Sequence, residues 1–156
     1  MPEVIQETVT NKGELQEVFN DISAGFRRAE YRDELDEFND ILYETHADSF
    51  ALASDSDNSA WPPLAAATVA RKRSAEILVE TGRLRTSLTT KGGQDHVGEI
   101  TDRGLTFGTE VPYSVFHQLG TRNMPQRAPV GVPQKRVDEL TETITDAAAR
   151  KLRKVS

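Results

Sequence analysis

The residues with the most versatile chemistry stand apart from one another in this chain. His117 lies in the run Tyr113-Ser114-Val115-Phe116-His117-Gln118-Leu119-Gly120, and an imidazole is the commonest general base. No serine, cysteine or acid is spaced around it as a nucleophilic set. His46 has no second histidine at metal-ligand spacing, which predicts a surface or capping role. Asp33, Glu34, Asp36, Glu37, Asp40 and Glu44 offer carboxylates for acid–base work, but they crowd one helical segment as a solvated face does. Asp55-Ser56-Asp57-Asn58 resembles the start of a calcium loop and lacks its glycine and closing glutamate. Lys91-Gly92-Gly93 has no phosphate-loop pattern around it. Cysteine is absent, which excludes disulfides, thiolate metal sites and cysteine nucleophiles. The expectation is a chain with no catalytic, metal-ligating or cofactor-binding residue.

The remaining candidates are binding groups. Arg71-Lys72-Arg73 and Arg150-Lys151-Leu152-Arg153-Lys154 read either as solvated helix ends or as contacts to phosphate and nucleic acid. Arg127, in Pro125-Gln126-Arg127, is a rigid multidentate donor whose partner the sequence does not name. Trp61, held by Pro62-Pro63, is a core plug or an interface anchor. Charge is divided along the chain. Residues 1–60 carry 15 Asp+Glu against 4 Lys+Arg, a balance of −11, while residues 61–156 carry 10 against 15, a balance of +5. Two solvated faces of opposite sign, or complementary surfaces meeting between copies, both fit this split. The acidic front half argues against general coating of DNA.

At 156 residues, with 37% hydrophobic and 28% charged residues, the chain has the size of one domain and buries roughly 68–70% of its unfolded surface. The β-branched run 4–10 predicts a strand. Leu15, Val18, Phe19, Ile22 and Phe26 predict a helix ending near Arg28. Leu35, Phe38, Leu42, Thr45, Ser49 and Leu52 mark the inner stripe of a helix over 31–53. A loop over 54–59 precedes an alanine-rich helix over 64–75. Leu84, Ser87 and Leu88 suggest further helical turns, with Lys91-Gly92-Gly93 a flexible connector. Val97, Ile100, Leu105 and Phe107 flank a hairpin turn in which Gly104 is free to take a positive φ. Gly120 ends a short helix, residues 121–133 form a proline-ordered loop, and a last helix runs over 134–154.

The expected class is α+β, with a small antiparallel sheet and hairpin packed against several helices and long helices at both ends. It is organised as a single domain over 1–156. Residues 1–53 hold the strand and acidic helices, 54–60 a loop, 61–132 a central module and 133–156 the C-terminal helix. Met1-Pro2-Glu3-Val4 does not read as a secretory signal. The longest uncharged stretch, 59–70, is broken by two prolines, so no membrane contact is expected.

The order of pieces within the central module resembles the phage virion morphogenesis family. Trp61, Pro63 and Leu64 come first, then Thr68 and Lys72, then Ile77-Leu78 and Thr81-Gly82 with Leu84 and Ser87. A hairpin follows, then Tyr113 with Phe116-His117-Gln118-Leu119-Gly120, then Pro125-Gln126-Arg127 and Gly131. The resemblance covers about residues 40–132. The family pattern usually places a proline–aromatic pair after the arginine and a leucine before the glycine, where this chain has Ala128-Pro129-Val130. The resemblance implies a structural virion protein rather than an enzyme, acting at the neck or tail of a particle assembled in the host cytoplasm. It implies head–tail joining or tail completion by a ring, often sixfold, that meets connector or adaptor proteins, the tail tube or its terminator, and passing DNA. Trp61, Leu64, Lys72, Leu84, Tyr113, Phe116, His117, Gly120 and Arg127 become packing or interface residues on this reading. The alternative is a nucleic-acid-binding module using residues 71–73 and 150–154.

Overall fold

The computed structural model describes residues 30–154 together with Glu17, Asn20 and Ala24. The strand expected over 4–10 lies outside the described residues, as does nearly all of the helix expected after it. Among the described residues the elements are α1 (Arg32–Leu52), α2 (Ala66–Arg71), α3 (Arg83–Thr89), β1 (His96–Ile100), β2 (Leu105–Thr109), α4 (Ser114–Leu119) and α5 (Gln134–Arg153). The molecule is α+β, with an antiparallel hairpin packed against helices and a long helix toward either end. No helix among the described residues is long and apolar enough to cross a membrane.

The helical period dictates the placement of α1. Leu35, Phe38, Leu42, Tyr43, His46 and Ser49 are buried, while Asp33, Asp36, Glu37, Asp40, Glu44 and Asp48 lie exposed on the other side. Leu52, expected on the inner stripe, is instead exposed, because the helix ends there and Ala53 turns the chain with a left-handed φ of 51°. The inner face meets α3, whose Leu84, Ser87 and Leu88 are buried, and these pack with Val111 to form the core. Leu88 and Ser87 have no exposed surface. The Ser87 hydroxyl donates to the Leu84 carbonyl at 2.7 Å, which leaves its oxygen to accept from Thr109 Oγ1, also at 2.7 Å. Thr109 Oγ1 in turn accepts the Val111 N–H at 3.1 Å, so the buried hydroxyls are satisfied as a chain.

The hairpin is in register from His96 opposite Thr109 to Ile100 opposite Leu105. Its turn does not use a left-handed glycine: Gly104 lacks a positive φ, and Thr101 closes the turn by donating its N–H to the Gly104 carbonyl at 2.8 Å. The positive φ falls on Asp95, just before β1. Its carboxylate accepts from Arg83 Nε at 2.6 Å and Nη2 at 2.8 Å, and the hydrogen bond from Arg83 holds the carboxyl below its usual range. The α-helix expected over 64–75 is shorter than its composition suggests, because it ends at Arg71. Lys72 leaves it in extended backbone (φ −71°, ψ 147°), and its ammonium bonds the Glu76 carbonyl at 2.7 Å. Lys91-Gly92-Gly93 is a built turn, with Gly93 donating its N–H to the Thr90 carbonyl.

His46 overturns the surface or capping expectation, because it is 1% exposed and stacks on Phe107 at 4.7 Å. Its Nδ1–H donates to the Leu42 carbonyl at 2.6 Å, and its Nε2 accepts the Gly131 N–H at 3.3 Å. Acceptance at Nε2 requires the neutral ring, and burial, outweighing the bond to the Leu42 carbonyl, lowers its pKa below the ordinary 6.5. Below pH 6.5 the unfolded chain therefore takes a proton that the folded one refuses, so this contribution is complete above that pH and is lost as pH falls. His117, also lowered, acts with the same sign. The urea midpoint is expected to drop between about pH 7 and pH 5, and His46→Gln to flatten that slope. An unchanged slope would show that His46 does not couple to folding.

Candidate functional site

The pieces the sequence spreads over about seventy positions close on one another. Trp61 is 5% exposed; it meets Phe50 edge-to-face at 5.6 Å, and its indole N–H donates to the Ala128 carbonyl at 3.2 Å. It is a core plug within the protomer. Next to it, Arg127 is 6% exposed and names its own partners, donating from Nε to the Pro62 carbonyl at 2.6 Å and from Nη2 to the Pro63 carbonyl at 2.7 Å. Proline carbonyls suit this task, since the ring fixes the chain that presents them. The Arg127 N–H also donates to the His117 carbonyl at 2.9 Å. Gln118 grips both the Val130 carbonyl, at 2.9 Å, and the Val130 N–H, at 3.1 Å, as a strand neighbour would. Gly120 has φ 72°, and a Cβ there would meet the Gln126 nitrogen at 2.9 Å, so only glycine lets α4 end against this loop. The 121–133 loop is thus internal through Arg127 and Pro129.

These ties frame an open cleft of about 880 Å³. One wall is the segment from Pro63 to Lys72, another is Leu78 to Arg83, and α4 with the loop 123–127 forms the rest. Leu64, Leu78 and Met124 give it apolar surface, while Arg71, Lys72, Arg83, Arg127 and Glu80 give it charge. Leu78 is held at φ 61°, a conformation that branched side chains rarely adopt, and it packs against the core from this position. His117 lines the cleft and its Nδ1 is buried without a hydrogen-bond partner. Burial first, then the nearby cations Arg127 and Lys72, lower its pKa. Burial also lowers that of Arg127, which makes no ion pair among the described residues.

The candidate residues therefore divide. Leu64, Lys72, Tyr113, His117 and Arg127 meet at the cleft, Gly120 positions its rim, Trp61 backs its wall, and Leu84 belongs to the core at 1% exposure. Phe116 is 54% exposed, and with Val115 at 47% and Leu119 at 72% it leaves α4 with an apolar outer row. Sequence reading passed over Tyr43 and His96. The Tyr43 hydroxyl lies 2.8 Å from His96 Nε2, and His96 Nδ1 lies 2.8 Å from the Ser87 carbonyl, which ties α1 to β1 and α3. Only the helical spacing of Tyr43 to Leu35 and Phe50 hinted at its burial. Among the described residues no group of three or more His, Asp or Glu is placed to hold a metal ion.

The model of the phage virion morphogenesis family matches residues 10–152. The chain belongs to this family. No curated protein and no solved structure gave a match. The family match reaches beyond the 40–132 module to both flanking regions, so α1 and α5 are part of the family's chain and not additions to a smaller unit. As a member of the virion morphogenesis family, the protein is a virion-associated phage protein with a part in building the particle. The residues that carried the resemblance are those that tie the cleft together: Trp61 and Pro63 on one side, His117, Gly120 and Arg127 on the other.

Proposed function

We propose that the protein is a structural joint at the neck or tail end of the particle, completing the tail or joining it to the head as a ring of copies. The observation that supports this reading is the outer row of α4. Val115, Phe116 and Leu119 are held out to solvent by a helix whose other side is tied down by Gln118 and by the His117 carbonyl. A row of apolar side chains on a rigid mount beside a charged cleft has the make-up of a protein interface, with anchors at the centre and polar groups around them. Connector or adaptor proteins, the tail tube, its terminator and neighbouring copies are the partners such a surface serves. A hydrolytic role for His117 would need a nucleophile in hydrogen-bond contact with its ring, and Nδ1 has no hydrogen-bond partner among the described residues.

The nucleic-acid reading is weaker for the C-terminal run. Lys151 Nζ stands 4.7 Å over the Tyr31 ring and 4.0 Å from Glu34, so it is engaged within the fold. Electron microscopy of lysates made without this protein tests the proposal. Filled heads separate from finished tails are expected if it joins, and tails of uncontrolled length if it terminates. Normal particles would end the proposal.

A further inference from the structure

The cleft and the outer face of α1 are opposite in charge and share no residue. The cleft's walls come from residues 63–83 and 113–127 and include Arg71, Lys72 and Arg127. On α1, Asp33, Asp36, Glu37, Glu44 and Asp48 are exposed at helical spacing, and none of them forms an ion pair among the described residues. Asp40 on the same face pairs with Lys91. A molecule carrying two complementary surfaces that do not overlap is suited to head-to-tail contact, which closes into a ring when the rotation between copies fits.

We propose that the acidic face of α1 in one copy seats in the basic cleft of the next. This rests on the ring reading above and names the surfaces that build it. The carboxylates of the incoming helix meet Arg71 and Lys72 at the open side of the cleft. Tyr113 and Phe116 at the rim of α4 supply the apolar anchors that flank the charged contact. The cleft's volume of about 880 Å³ leaves room for carboxylate side chains reaching in from a helix that lies across its mouth.

Two charge-reversed forms test it by sedimentation. One carries Arg71→Glu and Lys72→Glu, so it keeps only the acidic face. The other carries Asp36→Lys and Glu37→Lys, so it keeps only the cleft. The wild-type protein is expected to self-associate at low salt and to revert toward monomer at high salt. Each variant alone is expected to lose self-association by about a hundredfold. Mixed in equal amounts, they are expected to regain association, since the acidic face of the first meets the intact cleft of the second and the reversed cleft of the first matches the reversed face of the second. Melting curves confirm that both are folded, and Arg71→Gln with Lys72→Gln serves in place of the first if it is not. A wild-type protein that stays monomeric at every concentration and salt would overturn the proposal, as would folded variants that associate like the wild type or fail to pair when mixed. If that happens while particles lacking the protein still show unjoined heads and tails, the joint survives as a function and the cleft's occupant is a different virion protein.

Discussion

Trp61→Ala is expected to lower the unfolding free energy by about 3–5 kcal/mol, as removal of a buried tryptophan does when the space cannot collapse. The walls here cannot readily close in, because Pro62 and Pro63 stiffen one side and the Phe50 ring, edge-on at 5.6 Å, belongs to a long helix. A domain of ordinary stability holds about 5–15 kcal/mol, so the loss takes a large part of the total. Trp61→Phe keeps most of the apolar contact and forfeits the bond to the Ala128 carbonyl, for which about 1–2 kcal/mol is expected. Urea unfolding of the three proteins measures both figures. A loss below about 1 kcal/mol for the alanine form would place Trp61 outside the core, contrary to its burial.

Arg127→Ala is expected to cost about 2–4 kcal/mol, because two charge-assisted bonds go and two carbonyls lose their donor. Arg127→Lys recovers less than half of this, since one ammonium cannot span the Pro62 and Pro63 carbonyls as the planar guanidinium does. The two sites also couple. Trp61 and Arg127 both fasten residues 61–63 to residues 127–128, so once either is removed the other has less to hold. The double alanine form is expected to fall short of the sum of the single losses by about 1 kcal/mol. Strict additivity in urea titrations would mean that the two contacts are independent and that the cleft wall is not one unit.

Much of this was legible in the residues themselves. The periods of Leu35, Phe38 and Leu42, and of Leu84, Ser87 and Leu88, placed two helices and their buried sides, because a helical period has one solution. The hairpin followed from short apolar runs around Asp102-Arg103-Gly104, though not the turn's backbone, where hydrogen bonding at Thr101 replaced a left-handed glycine. The pairing of Arg127 with Pro62 and Pro63 was not legible. Both acceptors are backbone carbonyls, 65 and 64 residues away, and a carbonyl leaves no mark in a side-chain pattern. The burial of His46 was hidden for a similar reason. Its two partners, the Leu42 carbonyl and the Gly131 N–H, are main-chain groups, so a histidine on the inner stripe looked unprovided for. Tyr113, Phe116, His117 and Gly120 read alike as packing or interface residues, and the sequence does not say which face of the segment turns where: the fold turns Gln118 inward and leaves Phe116 and Leu119 outside. A six-residue helix is too short for period alone to say which side the rest of the chain will cover.

The most direct measurement of the joint is add-back. Purified protein is mixed with an extract of heads and tails made without it, and infectious particles are counted. The wild-type protein is expected to restore infectivity, and a folded form with Phe116→Asp and Leu119→Asp on the outer row of α4 to restore less than about a hundredth as much, since charged groups at an interface centre weaken it by several kcal/mol. Equal restoration by the two proteins, or none by the wild type, would contradict a joint built on this face.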